Sequence, residues 1–201
     1  MALQPNVDSE GIEMTEAEYL SSEPDSEVRR EYIDGRAYAM AGASTNHIRI
    51  SANILGEFRS HLKGTPCEAL QSDLKVKIAK NYVYPDVVVV CNNTNKDGLS
   101  DTPMIIVEVL SKSTRKRDLT TKLIQYINLP SLQEYVLIEQ DIVFIRIFRK
   151  KNDWKPEEYY LGDPIIFEAI ELTLMAEDIY DRVDNNEINE FREEKLALEK
   201  P

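Results

Sequence analysis

The sequence predicts an α/β fold: one domain with a mixed central sheet flanked by helices and an N-terminal β-hairpin. Three observations support this. The 201 residues suit one domain with a proper core. A hairpin signal and a long helical pattern occupy the first third of the chain, and strand-length apolar runs follow. The longest runs, 87–91 and 104–107, are far too short to cross a bilayer, so no membrane association is expected.

Capping and turn signals predict the first elements. Thr15 and Glu18 match a capping box, in which each side chain bonds the other residue's backbone amide, and they indicate a short helix. The Asp-Gly dipeptide at 34–35 predicts a tight turn, because glycine accepts the positive φ that such a turn needs. This turn would join strands over residues 30–33 and 36–40 into the hairpin.

A longer helix and several strands are predicted next. The helix covers residues 44–63 and would pack through an apolar stripe formed by Ile48, Leu55, Phe58 and Leu62. Residues 73–79 alternate between polar and apolar side chains, as in a half-buried strand. Residues 82–91 and 104–110 indicate further strands, and the second of these is apolar on both faces except at one position.

The C-terminal half is predicted to add a second helix and another hairpin. The helix spans residues 118–128 and ends before Pro130. The hairpin pairs residues 134–139 with 142–149, and a short segment at 174–183 closes the domain. No internal repeat or domain linker is visible.

Charge is concentrated at the two ends of the chain. Residues 1–27 carry eight acidic and no basic residues, and residues 184–201 carry six acidic and three basic residues. The net charge of −12 therefore lies mostly outside the middle, which is close to neutral. We predict a flexible acidic tail over 1–13, a domain over 14–183 and a charged C-terminal tail over 184–201. A neutral domain does not exclude nucleic acid, although phosphates favour basic surfaces.

One local run in this neutral middle is basic. Lys112, Arg115, Lys116 and Arg117 lie around the start of the predicted second helix, with Asp118 as the single acid. The run is a candidate surface for nucleic acid. A solvated helix start gives the same pattern, so that alternative stays open.

Glu108 is the most informative residue, because it interrupts an apolar strand. An isolated ionised carboxylate is costly in a core, so Glu108 must be neutral, paired or bound to a cation. Asp86 opens another apolar run, directly after Pro85, which cannot donate to a strand ladder and indicates a strand edge or bulge. Two carboxylates on adjacent central strands suit a hard cation such as Mg²⁺. An ion pair with a nearby lysine or arginine is the alternative for Glu108.

The two cysteines give no sign of a disulfide framework. Cys67 and Cys91 also lie in no metal-binding pattern, and we interpret both as small packing residues. The N-terminus shows neither the basic nor the apolar region of a signal peptide. A reducing cytoplasm is therefore the expected location.

Several short motifs occur in an order that is specific as a set. They are Glu-Tyr-Ile-Asp-Gly at 31–35, a helix with His47, Ser-Asp-Leu-Lys-Val at 72–76, Pro-Asp-Val-Val-Val-Val at 85–90, Val-Glu-Val-Leu-Ser-Lys-Ser-Thr-Arg-Lys-Arg-Asp at 107–118, Lys122, Tyr126 and Glu-Tyr-Val-Leu-Ile-Glu at 134–139. The set resembles the Uma-type family of proposed restriction endonucleases, a branch of the PD-(D/E)XK nuclease superfamily. The likeness covers about residues 14–183 and implies a restriction-endonuclease-like fold.

The resemblance also implies roles for individual residues. Asp86 matches the first carboxylate of the superfamily motif and Glu108 the second, and both would ligate Mg²⁺ or Mn²⁺. Glu31 matches an acidic residue of the family's first hairpin and would complete the metal site. The superfamily expects lysine two residues after Glu108, where this chain has Leu110. Members of the family use a lysine from the following helix instead, and Lys122 is the matching catalytic residue.

Helix geometry and two further residues bear on this implied site. At about 100° per residue, Lys122 lies at the edge of its helix's apolar stripe and could point along the sheet toward a strand end. A lysine that only covers apolar surface is the alternative.

Asp73 and His47 are candidate supporting residues. Asp73 could instead cap a turn, and His47 could make a local hydrogen bond at the start of its helix.

The residues and the resemblance together predict a metal-dependent DNA endonuclease that hydrolyses phosphodiester bonds. The resemblance also implies a homodimer, since nucleases of this superfamily commonly dimerise to cut both strands. Two alternatives stay open. One is a nuclease fold that has lost catalysis and binds nucleic acid or a protein partner, for which Leu110 argues. The other is a structural protein in which Glu108 forms a buried ion pair.

Overall fold

The computed structural model describes residues 11–92 and 98–198. Its strands are β1 Ile12–Glu13, β2 Arg30–Ile33, β3 Arg36–Ala39, β4 Cys67–Gln71, β5 Lys75–Ile78, β6 Asn81–Val83, β7 Val87–Cys91, β8 Leu99–Ser100, β9 Pro103–Val109, β10 Glu134–Ile138, β11 Ile145–Arg149, β12 Pro156–Tyr159, β13 Pro164–Phe167 and β14 Leu172–Met175. Its helices are α1 Glu16–Ser22, α2 Thr45–His61, α3 Arg115–Arg117, α4 Leu123–Ile127, α5 Ala176–Ile179 and α6 Asn186–Leu198, and a π-helical turn over Asp118–Lys122 joins α3 to α4.

A mixed six-stranded sheet forms the centre of the fold, in the order β12-β11-β10-β9-β7-β4. β9 and β10 run parallel, and every other neighbouring pair in this sheet is antiparallel. A second sheet has the order β1-β3-β2-β6-β5-β8, and β13 pairs with β14. The predicted mixed sheet is confirmed.

The central sheet is covered on both faces, because its middle strands are apolar at nearly every position. In β7 the side chains from 87 to 90 are fully buried. One face packs against α2 through Ile50, Ile54 and Phe58, and the other packs against the helical segment 115–127. The predicted flanking of the sheet by helices is therefore confirmed.

The buried stripe of α2 differs from the predicted one. The prediction included Ile48, which is 56% exposed, whereas Ile50 and Ile54 lie in the core in line with Phe58. These three residues follow each other at a spacing of four, which places them on one helix face. The shift leaves His47 and Ile48 on a face that lines a cavity.

The N-terminal hairpin forms where the sequence predicts it. β2 and β3 pair in antiparallel register around Asp34 and Gly35, whose φ angles are 50° and 83°. Both values are the positive φ of a tight hairpin turn. The capping box of α1 is also present, since the Thr15 hydroxyl accepts from the Glu18 amide and the Glu18 carboxylate accepts from the Thr15 amide.

Both predicted tails include residues of regular secondary structure. Ile12 and Glu13, at the end of the predicted tail over 1–13, pair with β3, and residues 1–10 lie outside the described part of the chain. The predicted C-terminal tail contains α6, and Ile188 packs into the main core. Residues 199–201 lie outside the described part. No helix in the ranges 11–92 and 98–198 is long and apolar enough to span a membrane.

The interpretation of the cysteines is corrected by the structure. Cys67 in β4 and Cys91 in β7 are directly opposed across the antiparallel pair and form a disulfide. Their spacing along the sequence gave no sign of this, because the strand pairing alone brings them together. The cysteines therefore no longer support the expected cytoplasmic location, since disulfides are rare in a reducing compartment.

Candidate active site

A cavity of about 670 Å³ opens where β7 begins and β9 ends. One wall is the connection between β3 and α2, residues 40–44. Acidic and basic side chains line the cavity together: Glu31, Asp86, Glu108 and Asp141 with His47, Lys112, Arg117 and Lys122.

Asp86 and Glu108 lie side by side at this cavity. β7 and β9 pair Val87 with Val107, so the next opposed pair along the register is Asp86 and Glu108. The side chains of opposed residues point to the same face of a sheet. The Val109 amide donates to Oδ2 of Asp86 at 2.7 Å and fixes that carboxylate beside the strand of Glu108. The structure thus brings both acidic residues to one rim of the sheet.

Glu108 is buried and has one carboxylate oxygen engaged by two donors. The Tyr126 hydroxyl donates to Oε1 at 2.8 Å, and the Lys122 ammonium donates to the same atom at 3.0 Å. Oε2 has no hydrogen-bond partner among the described residues. Burial raises the pKa of Glu108 well above its usual value; Lys122 lowers it, and the neighbouring carboxylates raise it again. A cation at Oε2 would relieve this excess of negative charge.

Lys122 is the cation that the buried carboxylates share. Its ammonium lies 2.7 Å from Oε1 of Glu31 and 3.2 Å from Oδ1 of Asp118, in addition to Glu108. Lys122 is only 2% exposed. Burial lowers the pKa of this lysine, but the three carboxylates more than offset that effect, and its pKa lies well above the usual value. Lys122 is therefore protonated in the folded protein.

A π-helical turn carries Lys122 into this position. The sequence predicted a regular helix from Asp118 with Lys122 at the edge of its stripe, but the helical segment begins at Arg115 and the wider turn buries both Asp118 and Lys122. The Tyr135 hydroxyl donates to the backbone carbonyl of Asp118 at 3.1 Å. π turns within helices occur frequently at functional sites.

Leu110 lies where the superfamily pattern has lysine. It is buried in the apolar layer beneath the helical segment, and its amide donates to the Ile138 carbonyl at 2.8 Å. The Lys122 ammonium lies 3.0 Å from Oε1 of Glu108, so the chain does have a lysine at this carboxylate.

Glu31 has partners at both carboxylate oxygens. Besides Lys122, Oε1 accepts from the Tyr84 amide at 3.3 Å, and Oε2 lies 3.8 Å from Nη1 of Arg117. Glu31 is 3% exposed. Glu31 lines the cavity, and both of its carboxylate oxygens face donors.

Of the two candidate supporting residues, only His47 lies at this site. Its Nε2 is 3.2 Å from Oδ2 of Asp86. Burial lowers the pKa of His47, but the hydrogen bond and charge of Asp86 raise it by more, and the net shift is upward. Asp73 does not line the cavity: it lies in the turn before β5, and its exposed carboxylate pairs with Arg29 at 3.0 Å.

The predicted basic patch is only partly available to a ligand. Lys112 and Lys116 are exposed and form no ion pair within the described ranges. Arg115 is bound by Glu139. The Arg117 guanidinium stacks on the ring of Tyr38, 3.9 Å from the ring centroid. Lys112 and Arg117 are the members of the patch that line the cavity.

The carboxylates of Asp86 and Glu108 are groups of the kind that a hard divalent cation binds. In the part of the chain that the structure describes, no three His, Cys, Asp or Glu side chains are grouped to hold a metal. Mg²⁺ does not need three, because it is usually bound by one or two carboxylates with water and substrate phosphates. Oδ1 of Asp86, like Oε2 of Glu108, makes no hydrogen bond to the described residues. Both side chains line the cavity.

The chain also matches a known protein family. Residues 16–176 match the Uma2 family, which is described as "Putative restriction endonuclease". The match covers most of the chain. The chain belongs to the Uma2 family.

Two proteins of Synechocystis sp. (strain ATCC 27184 / PCC 6803 / Kazusa) are similar to this Uma2 chain. Uncharacterized protein slr1290 is 37% identical over 169 residues, which cover 81% of this chain and 89% of the relative. Uncharacterized protein sll1609 is 34% identical over 146 residues, which cover 70% of this chain and 82% of the relative.

A solved structure shares the fold of this Uma2 chain. It is the crystal structure of "a putative nuclease belonging to DUF820 from Anabaena variabilis ATCC 29413", with a TM-score of 0.74 and 17% sequence identity. The superposition covers 85% of this chain and 99% of that one. The predicted restriction-endonuclease-like fold is therefore confirmed.

Sequence reasoning missed the roles of two tyrosines at the candidate site. Tyr126 was named only as a member of the motif set, and Tyr135 only within the strand at 134–139, yet their hydroxyls bond to Glu108 and to the Asp118 backbone. Tyrosine rather than phenylalanine at a buried position indicates a hydrogen-bond partner, and this was the available signal.

Proposed function

We propose that this protein is a DNA endonuclease that uses Mg²⁺ or Mn²⁺ to hydrolyse phosphodiester bonds. The observation that carries the proposal is the meeting of Asp86, Glu108 and Lys122 at one cavity rim. Membership of the Uma2 family supports the reaction class.

Asp86 and Glu108 are the proposed metal ligands. Each has one carboxylate oxygen held by donors and one oxygen free of hydrogen bonds to the described residues. The held oxygens fix the orientation of both groups. When bound, the cation would lower the pKa of an attacking water and stabilise charge on the scissile phosphate.

Lys122 and Glu31 are the proposed ion pair beside the metal ligands. The Lys122 ammonium, which lines the cavity and is already bound by three carboxylates, would neutralise charge on the phosphate. Glu31, predicted as a third metal ligand, is better suited to hold Lys122, because its Oε1 is 2.7 Å from the ammonium.

The proposed DNA contacts lie at the edge of the cavity. Lys112 and Arg117 line it, and Lys116 is exposed nearby in the sequence, so their charges can meet the phosphates on either side of the cleaved bond. A homodimer would place two such sites on opposite strands, and light scattering of the purified protein tests that part of the proposal.

The proposal is tested by cleavage of plasmid and linear DNA in the presence of Mg²⁺ or Mn²⁺. Asp86→Asn and Glu108→Gln are expected to abolish cleavage, and Asp73→Asn, which alters an exposed carboxylate outside the cavity, is expected to leave it intact. Cleavage that persists in both site variants, or that needs no divalent ion, would contradict the proposal.

One observation favours a second candidate function, binding of DNA without catalysis. Lys122 already compensates much of the charge of Glu31 and Glu108, so the site holds together without an added ion. This alternative predicts DNA binding that is unchanged by chelators, with no cleavage in either metal. Filter binding with and without EDTA separates the two functions.

A further inference from the structure

Two neighbouring buried tyrosines make hydrogen bonds to residues of the candidate site. Tyr126 and Tyr135 have no exposed surface, and their rings meet edge to face with centroids 4.9 Å apart. Neither residue lines the cavity. Both hydroxyls point to groups of the candidate site rather than to each other.

The Tyr126 hydroxyl and the Lys122 ammonium converge on Oε1 of Glu108, at 2.8 and 3.0 Å. A carboxylate with two donors at one oxygen cannot rotate about its terminal bond without losing both. The other oxygen is then directed away from these donors. A phenylalanine in place of Tyr126 would fill the same space but would leave Lys122 as the only donor at Oε1.

The Tyr135 hydroxyl acts on the backbone. It donates to the carbonyl of Asp118, the first residue of the π-helical turn that ends at Lys122. A hydrogen bond from outside a helix to one of its carbonyls supports a local departure from α-helical geometry. Tyr135 therefore contacts the turn at the end opposite to Lys122.

We propose that Tyr126 and Tyr135 are positioning residues with separate tasks: Tyr126 orients the Glu108 carboxylate toward the metal, and Tyr135 holds the π turn that presents Lys122. This inference rests on the proposed metal-dependent function. Loss of a residue that forms a hydrogen bond to a metal ligand typically changes metal affinity or activity by about 10- to 100-fold.

The test uses the full-length protein and Mn²⁺ alone as the first probe. Calorimetric titration of Tyr126→Phe is expected to show Mn²⁺ binding about 10- to 100-fold weaker than in the wild type. Tyr135→Phe is expected to bind Mn²⁺ within twofold of the wild type, but to lower kcat for DNA cleavage by about 10-fold or more with little change in KM.

Tyr32→Phe is the matched control. Its hydroxyl is also bonded to a backbone carbonyl, that of Met14 at 3.0 Å, and it does not line the cavity. All three variants remove one buried oxygen, so a purely structural role would lower Tm in each without changing Mn²⁺ affinity or kcat.

Tyr126→Phe and Tyr135→Phe test the two roles separately. If one variant fails to fold, the measurement on the other variant still decides the role of its own tyrosine. Mn²⁺ affinity of Tyr126→Phe equal to that of Tyr32→Phe would overturn the role of Tyr126, and an unchanged kcat in Tyr135→Phe would overturn the role of Tyr135. A wild type that binds no Mn²⁺ would instead overturn the proposed function itself, and this inference with it.

Discussion

The ammonium of Lys122 lies 3.0 Å from Oε1 of Glu108, although a loop and a helical turn separate them in the sequence. A chain with Leu110 two residues after this glutamate thus supplies a cation to it from a π-helical turn. The contact is buried, and two further carboxylates share the same ammonium. Three buried carboxylates therefore depend on one lysine for their compensating charge.

Replacement of this lysine is expected to destabilise the protein strongly. In Lys122→Met the carboxylates of Glu31, Glu108 and Asp118 remain buried without their shared cation, which typically costs about 3–5 kcal/mol. The loss is expected to shrink at acidic pH, where the carboxylates can take up protons. Urea unfolding at pH 7 and pH 5 measures both effects.

The exposed Lys116 gives the control for this experiment. Lys116→Met is expected to change the free energy of unfolding by no more than about 0.5 kcal/mol. Equal stabilities of the two variants at pH 7 would show that the buried network contributes nothing.

His47 is expected to make the free energy of unfolding depend on pH at values above the ordinary histidine pKa of about 6.5. Because its pKa is raised in the folded protein, the folded state binds more protons than the unfolded state once the pH exceeds about 6.5. Its contribution is fully present below pH 6.5 and is lost as the pH rises through the folded pKa. His47→Asn is expected to remove that part of the decline in a series of unfolding measurements from pH 6 to pH 8.5.

The other histidine of the chain, His61, provides a comparison. It bonds to the Ile170 carbonyl, far in sequence from the candidate site. A His47→Asn variant whose decline with pH matches that of wild type would contradict the assignment of the decline to His47.

A second buried ion pair is expected to affect stability without affecting metal binding. Arg149 at the end of β11 is 1% exposed, and its Nε lies 3.0 Å from Oε1 of Glu134 in the neighbouring strand β10. Arg149→Met leaves Glu134 buried without its cation and is expected to cost about 3–5 kcal/mol. Mn²⁺ affinity, measured well below the Tm of the variant, should stay at the wild-type value; a parallel loss would indicate that the site depends on overall stability.

The disulfide is expected to stabilise the pairing of the edge strand β4. Cys67 and Cys91 are separated by 24 positions, and closing a loop of this size contributes about 3 kcal/mol to the free energy of unfolding. Dithiothreitol should lower the urea midpoint of the wild type by a corresponding amount. The Cys67→Ala/Cys91→Ala double variant should not respond to dithiothreitol, and a wild type that is equally indifferent would show that the thiols are unpaired in solution.

Much of the fold could be predicted because its signals are local. The Asp-Gly turn and the capping box of α1 each determine structure within a few residues, and both appear where the sequence places them. The predicted strand over 82–91 instead divides into β6 and β7, which belong to different sheets. β4 was missed because Cys67–Gln71 is a half-exposed edge strand with only Ala69 fully buried, which leaves a weak pattern.

The acidic pair could also be predicted, because a carboxylate within an apolar run is conspicuous. The environment of Lys122 could not, since a π turn has no sequence signature of its own and shifts every later side chain around the helix. The Cys67–Cys91 bond depends in the same way on a strand register that only the folded chain defines.

The most direct test is a crystal soaked in Mn²⁺ and examined by anomalous diffraction. One strong peak is expected in the cavity, within coordination distance of Oδ1 of Asp86 and Oε2 of Glu108, with the Lys122 ammonium still at Oε1 of Glu108. A map without a peak between these two carboxylates, at Mn²⁺ concentrations that support DNA cleavage, would contradict the proposed metal site.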